Sequence, residues 1–203
     1  MTANPEQLLF LPGASGNTDF WRPFAERFHH PGRRLFFGWP GFGGLPADPS
    51  VRGLSDLSQR VALDITGPSA LFAQSMGGVI ALLTALAKPT LVTRLVLATT
   101  SGGVDVAALG GRNWRAEFRA ANPHVPGWFE TERWDLSERL SELRIPVLLL
   151  WGDADPISPV EVGEHLKRLL PQAELVVLAG GTHDLVMERA AELVPHIEHH
   201  FSK

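Results

Sequence analysis

The chain has no cysteine and no tyrosine among its 203 residues. The first absence rules out disulfides, thiolate metal sites and a cysteine nucleophile, and the second removes any phenolic donor. Runs of lysine or arginine are also missing, and 18 basic against 22 acidic side chains give a formal net charge of −4. A nucleic-acid surface is therefore not expected. No apolar run approaches the roughly 18 residues that a membrane span needs. The opening, MTANPEQLLFLPG, has no basic segment followed by a long apolar one. Neither a signal peptide nor membrane association is expected, and the cytoplasm is the expected location. There are no internal repeats.

What is present reads as one globular domain, 1–203, with 44% hydrophobic and 20% charged residues. Six short apolar runs punctuate it: Gln7–Pro12, Arg34–Gly38, Ala70–Gln74, Arg94–Thr99, Pro146–Trp151 and Glu174–Leu178. The LLLW and LVVL runs are continuous rather than alternating, the pattern of strands buried on both faces of a parallel sheet. Between the runs lie segments of helical period. Leu54, Leu57, Val61 and Ile65 form one, and Val162, Leu166 and Leu169 another. Ser158-Pro159-Val160-Glu161 reads as an N-cap serine with proline and glutamate at the first and third helical positions. Met187, Ala190, Val194, Ile197 and Phe201 give a C-terminal helix that Pro195 should kink or restart. Met76–Ala87 is apolar almost all round, so it belongs at the centre of the molecule. Strands alternating with helices predict an α/β fold, a doubly wound and all- or mostly parallel sheet of about six strands.

One connection is out of proportion. From Thr99 to Pro146 the chain is far longer than any other crossover and carries Trp114, Phe118, Trp128, Phe129 and Trp134 among Gly and Pro breaks. It reads as a small insertion over one edge of the sheet, a lid at about 103–135. Arg112, Arg115 and Arg119 have the spacing of one helical face, either solvated or turned toward an acidic carrier or a substrate carboxylate.

Parallel sheets present reactive groups at the carboxyl ends of their strands. The first predicted strand is followed by Gly13-Ala14-Ser15-Gly16, the third by Ser75-Met76-Gly77-Gly78, the fifth by Gly152-Asp153-Ala154-Asp155, the sixth by Gly180-Gly181-Thr182-His183. A serine, an acid and a histidine thus fall in that chain order, each in a loop at one end of the sheet. Through LPGASG, AQSMGG, WGDADPISP and GGTHD, the whole chain resembles an α/β-hydrolase, with a nucleophile elbow at Ala73-Gln74-Ser75-Met76-Gly77. A sharp strand-to-helix turn needs small flanking residues, which Ala73 and Gly77 supply.

The resemblance implies Ser75 as nucleophile, His183 as general base and Asp155, rather than the turn-forming Asp153, as the acid that orients the imidazole. It further implies an oxyanion hole from the backbone N–H groups of Ala14 and Met76, with no metal and no cofactor. His29, His30, His196, His199 and His200 fall on polar, surface-like segments, and His165 sits in a helix. The sequence departs from the family at Pro12, where a histidine is common, at Gly38 and at Ala73. The two N-terminal antiparallel strands are expected to be missing.

The expected function is a serine hydrolase that cleaves an ester or thioester of a small to medium, partly apolar acyl substrate through an acyl-enzyme. Trp114, Phe118, Trp128 and Phe129 are candidate pocket residues. WPGFGG and the small lid give a narrower similarity to esterases that release a carrier-bound methyl ester, which adds an acidic carrier protein as a candidate partner. A lyase on the same framework and a non-catalytic binding member of the fold are the alternatives.

Overall fold

Central strands buried on both faces need cover from both sides, and the chain supplies it from alternate sides. The computed structural model describes residues 4–203. Its strands are β1 (Gln7–Leu11), β2 (Arg33–Phe36), β3 (Ser69–Gln74), β4 (Val92–Ala98), β5 (Val147–Gly152) and β6 (Ala173–Leu178). They form one sheet in the order β2-β1-β3-β4-β5-β6, with every neighbouring pair parallel.

The period-two alternation sorts the side chains. Leu9, Leu11, Leu71, Leu95, Leu97 and Leu149 face a core shared with α2 (Leu54–Asp64), α3 (Met76–Ala87) and α6 (Val160–Leu169). Leu8, Phe10, Phe72, Val96 and Leu148 face a second core, covered by α1 (Arg22–Ala25), α7 (Leu185–Glu188) and α8 (Ala190–Phe201). As its all-round apolarity predicts, α3 is buried along nearly its whole length. Among the described residues no helix is long and apolar enough to cross a membrane.

Three local expectations change. LVVL is not buried on both faces, because β6 is an edge strand and Val177 is 41% exposed. Ser158 does not cap α6: that position falls to Pro159, and the Ser158 hydroxyl donates to the Thr100 carbonyl instead. The C-terminal helix breaks at Arg189, between α7 and α8, while Pro195 stays inside α8. Proline removes one ladder bond there, and the fully buried Leu193 and Ile197 on either side hold the helix in place.

The connection between β4 and β5 contains α4 (Arg115–Ala121), α5 (Trp128–Thr131) and a 3-10 turn at Leu140–Glu142. It does not lie over an edge of the sheet. It crosses the carboxyl ends of the strands, with Arg112 N–H bonded to the Pro156 carbonyl on one side and Phe42 packed on Phe129 on the other. Glu132 fastens it: its carboxylate accepts the Leu54 N–H at 2.9 Å, satisfying an open donor at the start of α2.

His200 also departs from expectation. It is 2% exposed, and its Nε2 has no hydrogen-bond partner among the described residues. Its backbone carbonyl accepts from the buried Arg94 side chain at 2.8 Å. Burial first, and the Arg94 charge second, push the imidazole down from 6.5 to about 4. The unfolded chain then takes up this proton more readily than the folded one. The stability is complete above about pH 6.5 and is lost as pH falls toward 4, by about 3 kcal/mol from this group. Urea unfolding of His200→Gln should therefore be less pH-dependent across that window. An unchanged slope would show that His200 does not drive acid unfolding.

Candidate active site

The order β2-β1-β3 reverses direction between β1 and β3, so the loops leaving those two strands diverge and open a crevice. Ser75 sits there, between the end of β3 and the start of α3, with φ 52° and ψ −121°. Left-handed backbone is costly for a residue with a Cβ, about 1–3 kcal/mol, and persists only when its surroundings impose it. They do. The Ser75 N–H donates to Ala98 O at 3.0 Å, and its carbonyl accepts from Gly78 N–H at 3.0 Å and Thr100 Oγ1 at 2.6 Å. Gly77 is required by close approach, since a Cβ there would lie 2.5 Å from Pro12 O and 2.7 Å from Leu11 O.

His183 Nε2 lies 3.0 Å from Ser75 Oγ, and His183 Nδ1 lies 2.7 Å from Asp155 Oδ2. A carboxylate is acceptor-only, so the imidazole proton sits on Nδ1 and Nε2 is free to accept from the serine hydroxyl. The Asp155 side chain is fully buried, and its Oδ1 accepts the N–H groups of Ile157 (2.8 Å) and Ser158 (3.2 Å). Asp153 is elsewhere: it is exposed, and its Oδ1 accepts the Gly180 N–H at 2.6 Å. It closes the turn that carries His183.

Several supporting residues were not legible beforehand. Gln74 Nε2 and Thr99 Oγ1 each donate to the His183 carbonyl at 3.2 Å, clamping the histidine loop onto the ends of β3 and β4. Thr99 is itself left-handed, at φ 43°. The polar pair Thr99-Thr100 ending an apolar strand is the one sequence signal for this. At Pro12, where a histidine is common in the family, the loop is held by Trp39, whose Nε1 donates to the Pro12 carbonyl at 3.0 Å. Trp39 is thereby buried. Gly13 brings the same loop against the elbow, since a Cβ on it would stand 3.0 Å from Ser75 Cβ. Among the described residues the N–H groups of Ala14 and Met76 donate to no protein acceptor.

A cavity of about 710 Å³ opens over Ser75, Met76 and His183. Trp114, Trp128 and Phe129 line it, together with Arg115 and Trp134. Phe118 does not. Its ring packs 5.5 Å from both Trp114 and Phe129, behind the wall. The basic face expected from Arg112, Arg115 and Arg119 is not formed either. Arg112 precedes α4 and pairs with Glu117, Arg119 pairs with Glu130 at 2.9 Å, and Arg115 turns inward.

Comparison with known proteins agrees with this framework. A model of the alpha/beta hydrolase family matches residues 8–136, and one described as alpha/beta hydrolase fold matches residues 119–190. The chain is 23% identical to a pimeloyl-[acyl-carrier protein] methyl ester esterase of Pseudoalteromonas atlantica, over 84% of each chain. It is 27% identical to a 2-hydroxy-6-oxononadienedioate/2-hydroxy-6-oxononatrienedioate hydrolase of Paraburkholderia phymatum, over 93% of this chain and 84% of that one. Among solved structures, an esterase from Exiguobacterium antarcticum superposes with TM-score 0.79 at 15% identity, covering 100% and 94% of the two chains. A thermophilic esterase from Thermogutta terrifontis gives 0.77 at 22%, covering 98% and 90%. At such identities these two likenesses speak for the fold alone.

Proposed function

Because the chain belongs to the α/β-hydrolase family, we propose that it is a serine esterase in which Ser75, His183 and Asp155 act as nucleophile, general base and orienting acid. The observation that carries this reading is the unbroken relay from Ser75 Oγ through His183 to Asp155, with contacts of 3.0 and 2.7 Å, on a serine held at φ 52°. His183 takes the serine proton as Oγ attacks the ester carbonyl. Ala14 and Met76 N–H groups receive the developing oxyanion, each worth on the order of 3 kcal/mol in the transition state. The alcohol or thiol leaves with the proton from His183, and a water activated by the same imidazole then releases the acid. No cofactor enters this sequence.

The segment at 103–135 acts as a lid over the substrate. Arg112 and Arg119, the candidate contacts for an acidic carrier protein, pair with Glu117 and Glu130. The cavity over Ser75 suits a small-molecule ester or thioester. The aromatic wall favours an apolar stem, and so short a lid favours short to medium acyl chains.

A series of p-nitrophenyl esters of increasing acyl length tests this directly. Wild type should hydrolyse it with an optimum at short to medium length, and no hydrolysis at any length would defeat the proposal. Trp128→Ala should shift that optimum, since each methylene contact is worth about 1–3 kcal/mol of discrimination. Phe118→Ala should leave the optimum in place and lower the melting temperature, because its ring backs the wall without lining it. A shifted optimum in Phe118→Ala alone would reverse these assignments.

A further inference from the structure

The cavity wall holds a cation that the hydrolytic relay does not use. Arg115 lines the cavity over Ser75 and lies 5.7 Å from the Trp114 ring and 5.2 Å from the Phe129 ring. A guanidinium has five N–H donors. Among the described residues the Arg115 side chain makes one hydrogen bond, Nη1 to the Phe129 carbonyl at 2.8 Å, and has no carboxylate within salt-bridge distance. Arg133, on the same wall, likewise bonds only to backbone carbonyls, those of Glu130 and Glu132.

The acids on this wall are otherwise engaged. Glu132 accepts from Leu54 N–H and Trp134 Nε1, Asp105 from the N–H groups of Ala107 and Ala108, and Asp135 from that of Ser137. Arg115 and Arg133 therefore stand on this wall without a carboxylate partner among the described residues. A carboxylate bound beside Arg115 would gain charge-assisted hydrogen bonds from the donors that the Phe129 carbonyl leaves free.

We infer that this wall is an anion subsite, and that the ester hydrolysed at Ser75 carries a free carboxylate, held by Arg115. The inference rests on the esterase reading above. Water supplies the hydroxyl of the new acid and the proton of the released alcohol, so the carboxylate at the subsite passes unchanged into the product. It sits on either the acyl or the alcohol portion, and the two cases are separable.

Calorimetric titration of Ser75→Ala, which binds without turnover, reads the subsite itself. The probes are the monomethyl esters of glutaric to suberic acids (carboxylate on the acyl side), acetyl esters of hydroxy acids of matching length (alcohol side), and the uncharged dimethyl esters. One charged series should bind about tenfold tighter than its neutral counterpart at one chain length, a charge-assisted hydrogen bond's worth. That advantage should fall to about twofold or less in Ser75→Ala/Arg115→Gln and be partly restored by Arg115→Lys. Equal binding of charged and neutral esters at every length overturns the inference without any Arg115 variant. An advantage that survives Arg115→Gln overturns it as well. Wild-type hydrolysis of neutral esters without charge preference defeats this inference alone. Half-esters that bind tightly and are never hydrolysed defeat the esterase reading alone.

Discussion

Ser75→Ala should lower ester hydrolysis by about 10⁶-fold while leaving thermal unfolding where it is in wild type. The loss is that large because the members of such a relay act as a unit: without Oγ there is no acyl-enzyme, and His183 has nothing to activate in the first step. His183→Ala should be about as damaging. The fold survives because alanine keeps the Cβ, and the strained turn is held by main-chain contacts. The Ser75 N–H still reaches Ala98 O, and Thr100 Oγ1 still donates to the residue-75 carbonyl. Steady-state kinetics beside a melting curve checks both halves. A variant near wild-type activity would remove Ser75 from the chemistry.

Asp155→Asn should reduce kcat by about 10⁴-fold, and Asp153→Asn by far less. Both residues follow β5, two positions apart, and differ in burial and in where they point. Asp155 is fully buried, with Oδ1 fixed by two backbone N–H groups and Oδ2 aimed at His183 Nδ1. An asparagine held by the same two N–H groups must turn its amide NH₂ toward the imidazole. That group donates, so Nδ1 becomes the acceptor and the proton moves to Nε2, where the Ser75 hydroxyl needs an acceptor. The Asp153 carboxylate accepts the Gly180 N–H and does not reach His183, so its loss loosens the histidine loop without inverting the tautomer. The opposite ranking of the two variants would transfer the orienting role to Asp153.

The parts of this arrangement that could be read in the sequence are those governed by local chemistry. Continuous apolar runs marked the strands, all-round apolarity placed α3 at the centre, and small residues flanking a serine marked the elbow. Legibility failed where the decisive contact comes from far away in the chain. LVVL reads like LLLW, but only the sheet order tells that β6 is an edge. His200 sits on a polar stretch, yet it is buried, and Arg94 on the distant β4 reaches its carbonyl. Arg115 shares the spacing of Arg112 and Arg119, yet α4 starts only at Arg115, and the aromatic wall draws its guanidinium inward. Gln74 and Thr99 gave no hint of their common partner, since the His183 carbonyl lies more than eighty residues away.

The most direct test of the central assignment is covalent. Intact-protein mass spectrometry after treatment with a fluorophosphonate ester should show one phosphonyl adduct per chain, mapped to Ser75 by peptide analysis. The adduct should be absent from Ser75→Ala and should form very slowly on His183→Ala. An unlabelled wild-type chain, or labelling that persists in Ser75→Ala, would contradict the assignment of Ser75 as the activated nucleophile.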